Sequence, residues 1–367
     1  MSLQQRQQPH QRSFSSHVLL LLALFALFHF RSYTTRDAVN QNDQVSAVQQ
    51  QETVSSSAMM QEFVPYNLPP YAREWCVPTT LPRLDYHRCR DKEYLSALRV
   101  SGGMTNAIKY LLLGVIRAYE DDRCFYVDES RWHLQRRNNN ANSLDSFINR
   151  YFEPIGLDQN DPFVQDRYAQ SRVQSRGDFR VLWEDLYNRR MWNNLYNISS
   201  LHYENMQGHT LKKVVLRRMW RMRPEVRHDT CSALENHGLQ DEYMAFSVRR
   251  GDKSTEGFDF TPTERYIAAA ERAVALGHFR TVPKIFVATD DCTVLHEFRS
   301  QRPQWTFVSE CDRLVSSNSS SNQQGFVLKD MLDWTPEETD AHFHKFFVEL
   351  YAAAISKVFI GERQRNR

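Results

Sequence analysis

The chain has no excess of either charge: 46 basic residues stand against 44 acidic ones among 367, a formal net charge of +2. Bulk attraction to a polyanion is therefore missing, and nucleic acid is not an expected partner. No Asp-x-Asp pattern occurs, the paired carboxylates that commonly hold a divalent cation against a diphosphate, so a metal is not expected either. No Cys-x-x-Cys occurs, which disfavours zinc. Glycine is scarce, with 12 residues, and Gly102-Gly103 lacks the further glycines of a dinucleotide fingerprint, which disfavours a Rossmann-type oxidoreductase. Long apolar runs are short too. Val18 to Phe30 makes about 20 Å of helix, less than the roughly 30 Å core of a typical bilayer.

That run follows a polar, glutamine-rich stretch with Arg6 and Arg12 and no acids, and leads into His29-Phe30-Arg31 without a small-x-small cleavage site. An uncleaved anchor is favoured over a cleaved signal peptide, in a thin early-secretory membrane. Residues 32–70 are rich in Gln, Ser, Val and Asn and cannot repay the entropy of ordering, so they read as a stem. The expected organisation is a cytoplasmic tail at 1–17, an anchor at 18–31, the stem at 32–70, a first α/β lobe at 71–223 and a second at 224–367. Tail, anchor and stem suit a single-pass type II protein of the Golgi membrane. The six cysteines, at 76, 89, 124, 231, 292 and 311, all follow the anchor and can pair if that side is luminal. Six allow 15 full pairings, of which Cys76 with Cys89 is the shortest closure. Asn197-Ile198-Ser199 and Asn318-Ser319-Ser320 are glycosylation sequons consistent with a luminal side.

Met104, Ala107, Ile108, Leu111, Leu112, Val115 and Ile116 recur at three and four, predicting an amphipathic helix directly after Gly102-Gly103. Cys124 to Val127 reads as a buried strand, so the helix start can face an anion. Residues 128–210 say little. Leu211 to Arg223 is a basic amphipathic helix stopped by Pro224. The second lobe alternates: strand Met244 to Val248, helix Pro262 to Leu276, strand Lys284 to Ala288, helix Val294 to Arg299, strand Trp305 to Val308, and a last helix Pro336 to Lys357. That order describes a parallel, doubly wound α/β sheet.

At the end of the strand Met244 to Val248 stands Arg249-Arg250-Gly251-Asp252-Lys253, with Glu256 three residues further. Two guanidiniums offer forked donors to a diphosphate, Gly251 admits close backbone approach, and Asp252 can orient an arginine or accept from a sugar hydroxyl. Lys253 can tune Glu256 as a general base. A solvated charge run is the plain alternative. Asp290 and Asp291 end the next strand, where a helix N-cap explains one of them without any function.

Val248-Arg249-Arg250-Gly251-Asp252-Lys253, followed by Pro262 and Tyr266, resembles the motif of the α-1,6-fucosyltransferases. Gly102-Gly103-Met104, Met222-Arg223-Pro224 and Phe286 to Asp291 fall in that family's order, and the likeness runs from about Leu98 to Ile360. The resemblance implies a Rossmann-like, two-lobed, GT-B-like fold and metal-free, inverting transfer of fucose from GDP-fucose to a glycan hydroxyl. It implies Glu256 as base, with Lys253 and Arg250 beside it. For the nucleotide sugar it implies Arg249, Arg250, Asp252, Tyr266, Asp290, Asp291, Gly102 and Gly103. Where the family has an aspartate and a histidine against guanine, this chain has Glu349 and Ser247. The family continues past Val358-Phe359-Ile360 into a serine-rich turn and an arginine-bearing helix, whereas here Gly361 to Arg367 follows. An incomplete second lobe, and a catalytically silent nucleotide- or glycan-binding relative, are the alternative this implies.

Overall fold

The computed structural model describes residues 76–77, 83–84, 95–99, 104–120, 122–129, 147–158, 160–167, 172–174, 195–198, 203–251, 260–312 and 334–361. The expected tail, anchor and stem lie outside them. No helix among the described residues is long and apolar enough to cross a membrane.

The first sheet is parallel, in the order β2-β1-β3, from β1 Leu95–Arg99, β2 Cys124–Asp128 and β3 Arg172–Gln174. Helix α1, Met104–Glu120, joins β1 to β2 and buries the expected stripe, with Ala107, Leu111 and Val115 nearly inaccessible. Two short helices, α2 Phe147–Tyr151 and α3 Pro162–Arg167, follow β2. An antiparallel pair, β4 Leu195–Ile198 and β5 Tyr203–Gln207, feeds α4, Gly208–Met219.

The sequence pattern misses α5, Pro224–Asn236. Pro224 reads as a helix stop, yet it sits at the first helical position, where its missing N–H costs nothing and its fixed φ suits the turn. Its buried residues are only Thr230, Cys231 and Leu234, a stripe too narrow to announce a helix. Cys231 is bonded to Cys76 across 155 residues. Of the pairings left open, Cys76 thus takes Cys231 and not Cys89, the shortest closure: loop closure grows costlier only slowly with length, so packing chooses the partner, and both half-cystines lie in one apolar cluster.

The second sheet is parallel in the order β8-β7-β6-β9, from β6 Met244–Val248, β7 Ile285–Thr289, β8 Phe307–Val308 and β9 Val358–Gly361. Met244, Phe246 and Val248 pack on one face against α6, Thr263–Ala275, and α7, Val294–Gln301. Ala245 and Phe286 face the other way, into the cluster shared with α5 and with α8, Pro336–Ala354. Both faces are covered, which is why β6 and β7 read as continuous apolar runs rather than alternating ones. Helix α8 opens on a capping box: Thr335 donates its N–H to Glu338 Oε2 at 2.7 Å, and its hydroxyl accepts from the Glu338 amide at 3.2 Å. It ends three residues earlier than expected because Ile355 to Lys357 turn into β9, with Lys357 N–H on the Tyr243 carbonyl.

Phe343 and Phe347 of α8 meet Phe147, Tyr151 and Phe152 edge-on or tilted, with ring centroids 4.9–5.6 Å apart. Through these rings one apolar cluster runs from α1 and α4 to α5 and α8. The core is continuous across the boundary expected at residue 223.

Candidate active site

The strand order sets the place. From β6 the chain moves outward to β7 and β8, then returns under α8 to lay β9 on the opposite side of β6. The order reverses at β6, and ligands of open parallel sheets bind beyond the carboxyl ends at such a reversal. Arg249, Arg250 and Gly251 leave β6 at that end, beside Asp290 and Asp291 leaving β7.

Asp290 grips the arginine turn. Its Oδ1 accepts the Arg250 backbone N–H at 2.7 Å, and Arg249 Nε stands 3.8 Å from Oδ2. Burial pushes the Asp290 carboxyl above its ordinary value, while the Arg250 and Gly251 amides and the Arg249 and Lys345 charges pull it back. Asp291 does something different. Its Oδ1 accepts from Thr293 N–H at 3.0 Å and Thr293 Oγ at 2.7 Å, a local turn leading into α7. Neither acid is the N-cap of α7, which is Thr293: Asp291 holds the turn just before it, whereas Asp290 belongs to the arginine turn.

Arg250 forks onto Glu297 of α7, Nη2 to Oε2 at 2.7 Å and Nη1 to Oε1. Its Nε is buried without a hydrogen-bond partner, and Phe260 lies 5.9 Å from the guanidinium carbon. The Glu297 carboxyl is held below its ordinary value, first by that hydrogen bond. Both terminal nitrogens of Arg250, expected to meet a diphosphate, are thus on a protein carboxylate.

Tyr266 is 2% exposed, its ring against Phe246 and Phe298 and its hydroxyl donating to the Ser247 carbonyl at 3.0 Å. The structure gives it a packing role where the resemblance implied a ligand contact. Ser247 is half-buried. Glu349 accepts the Thr289 N–H at 3.1 Å and stands 2.8 Å from Lys345, one turn earlier on α8. Burial raises the Glu349 carboxyl and Glu310 raises it further, against the pull of Lys345 and the Thr289 amide. Gly102, Gly103, Asp252, Lys253 and Glu256 lie outside the described residues. Among the described residues no three His, Cys, Asp or Glu converge as a metal site.

Sequence reading missed Glu297 and Lys345. The i,i+4 spacing of Lys345 and Glu349 was a visible signal of pairing. Nothing in the sequence joins Glu297 to an arginine 47 residues before it.

No family model and no curated protein matches the chain. Solved structures do match it. A NodZ α-1,6-fucosyltransferase co-crystallised with GDP aligns over 74% of this chain and 88% of its own, at 14% identity and a TM-score of 0.43. A NodZ crystal soaked with GDP-fucose gives the same figures. A NodZ from Bradyrhizobium aligns over 63% and 83%, at 15% identity and a TM-score of 0.37.

Proposed function

We propose that the protein is a fucosyltransferase-like glycosyltransferase with a two-lobed, GT-B-like architecture, moving fucose from GDP-fucose to a glycan hydroxyl. The observation that carries this reading is the arginine turn, held by Asp290 at the carboxyl end of the central parallel strand, within a motif order that resembles the α-1,6-fucosyltransferases.

The acceptor oxygen attacks the anomeric carbon as the bond to the diphosphate breaks, inverting that centre in a single displacement. Glu256 takes the acceptor proton and Lys253 holds Glu256 in place. Arg249, adjoining Asp290, supplies positive charge to the departing diphosphate, and no metal is required. Arg250 contributes its backbone N–H to the turn's shape, with its side chain anchored on Glu297. The disulfides Cys76–Cys231 and Cys292–Cys311 support a luminal domain of a Golgi type II membrane protein, since such bonds persist in oxidising compartments.

Calorimetry of the luminal part with GDP in the presence of EDTA tests the reading, followed by GDP-mannose and UDP-sugars. Binding of GDP without metal is expected. Binding that required manganese, or a preference for a UDP-sugar, would overturn it.

A second reading, a silent relative that binds without turnover, is favoured by the engagement of Arg250 with Glu297 and of Glu349 with Thr289 and Lys345. Transfer by protein that also binds GDP excludes it.

A further inference from the structure

We infer that Lys345 and Glu349 work as one positioning couple for the arginine turn, fixing the backbone of Thr289 so that Asp290 meets Arg249 and the Arg250 amide. The inference rests on the donor-binding reading above and deepens it by adding the helix across the sheet to the site.

Thr289 is the last residue of β7, where backbone groups pass beyond the ladder and need other partners. Glu349 Oε1 takes its N–H at 3.1 Å and Lys345 Nζ donates to its carbonyl. The two side chains are 2.8 Å apart, 13% and 15% exposed. The Thr289 hydroxyl is engaged as well, with the Asp291 N–H and carbonyl at 3.1 Å each. Every polar atom of Thr289 is therefore held, and Asp290 follows it directly. An unbroken line of contacts runs from α8 through Thr289 and Asp290 to the two arginines.

The couple also sets charge. Glu349 has Lys345 and Glu310 as its charged neighbours, Lys345 also acts on His342 of its own helix and on Asp290 beyond β7, Arg249 beyond β6 acts on Asp290, and Glu310 beyond β8 is 2.7 Å from His237 at the end of α5. Burial raises both Asp290 and Glu349, and the charge of Lys345 opposes that rise at both, next to the proposed diphosphate site. Lys345→Met removes that cation. Its carboxylates then take up protons more readily as pH falls, and their repulsion of a diphosphate is relieved.

The test is GDP calorimetry at about pH 8 and about pH 6 on wild type, Lys345→Met, Lys345→Arg and Glu349→Gln, with Lys357→Met at the opposite end of the sheet as control. Hydrogen–deuterium exchange across residues 286–293 accompanies it. Lys345→Met is expected to weaken GDP about ten-fold at the higher pH and to recover much of that at the lower, unlike wild type. Lys345→Arg should stay within about three-fold of wild type. Exchange at Thr289 to Asp291 should quicken in Lys345→Met and Glu349→Gln and not in Lys357→Met. Wild-type GDP affinity in Lys345→Met at both pH values, or unchanged exchange, would overturn the inference. If wild type itself fails to bind GDP, the donor reading falls while the exchange result still decides the couple. If Lys345→Met fails to fold, the isosteric Glu349→Gln decides it by the same exchange.

Discussion

Arg250 and Glu297 form a forked ion pair between the turn after β6 and the first turns of α7, two elements 47 residues apart in sequence. Thr263, at the start of α6, donates to the same carboxylate at 3.4 Å, and Gln301 donates to Thr263 at 2.8 Å. Three elements at the carboxyl end of the sheet thus share one small polar network.

Arg250→Ala should lower stability by about 1–3 kcal/mol, since it strips a mostly buried group of charge-assisted bonds. Glu297→Gln should cost less, about 0.5–1 kcal/mol, because Glu297 is 41% exposed and solvent screens the pair. Urea titration of both variants checks this order. Equal costs would mean that solvent does not screen the Glu297 side of the fork.

Arg249→Ala is expected to lower GDP affinity by about one to two decades, the worth of a charge-assisted contact to a phosphate. Calorimetry reads it directly. Normal affinity in that variant would make the arginine turn a charge run with no ligand.

Glu256→Gln keeps shape and removes the proposed base, so transfer should fall roughly 100-fold or more with GDP affinity within a few fold. A radiolabelled GDP-fucose transfer assay separates the two quantities. Transfer at the wild-type rate would remove Glu256 from the mechanism.

His342 offers a pH measurement. Its ring lies against Trp334 and Phe343, and burial, with Lys345 nearby, lowers its imidazole to about 3. The unfolded chain takes this proton near the ordinary histidine value while the folded chain does not. Stability from this group is therefore complete above about pH 6.5 and is lost as pH falls from there toward 3. His342→Phe should make the unfolding free energy less pH-dependent in that window by about 1.4 kcal/mol per pH unit. An unchanged slope in urea titrations at several pH values would rule out a neutral buried histidine.

Much of the second sheet was legible because each strand is short, apolar and closed by a turn, and because α6 carries a clean stripe from Tyr266 to Ala273. The bounds of β7 and α6 fall within a residue or two of expectation. Helix α5 escaped because a proline can end one helix and begin the next. The site was legible where function lies in consecutive residues, as at Arg249 and Arg250. It was not legible where partners are brought together by the fold: Glu297 reaches Arg250 only because α7 follows β7, and Lys345 reaches Thr289 only because α8 crosses back over the sheet. Asp290 and Asp291 are chemically identical neighbours, and only the direction of each side chain tells them apart.

The place of β9 has a consequence for how the molecule is made. Strand β6 is hydrogen-bonded on one edge to β7, its near neighbour in sequence, and on the other to β9, which leaves the ribosome long afterwards. Through most of synthesis the central strand carries a bare edge of amide and carbonyl groups open to pairing with another chain. The strand that carries Arg249 at its end is paired on both edges only once Val358 to Gly361 is in place, so a chain lacking that segment is expected to expose the β6 edge to pairing with another chain.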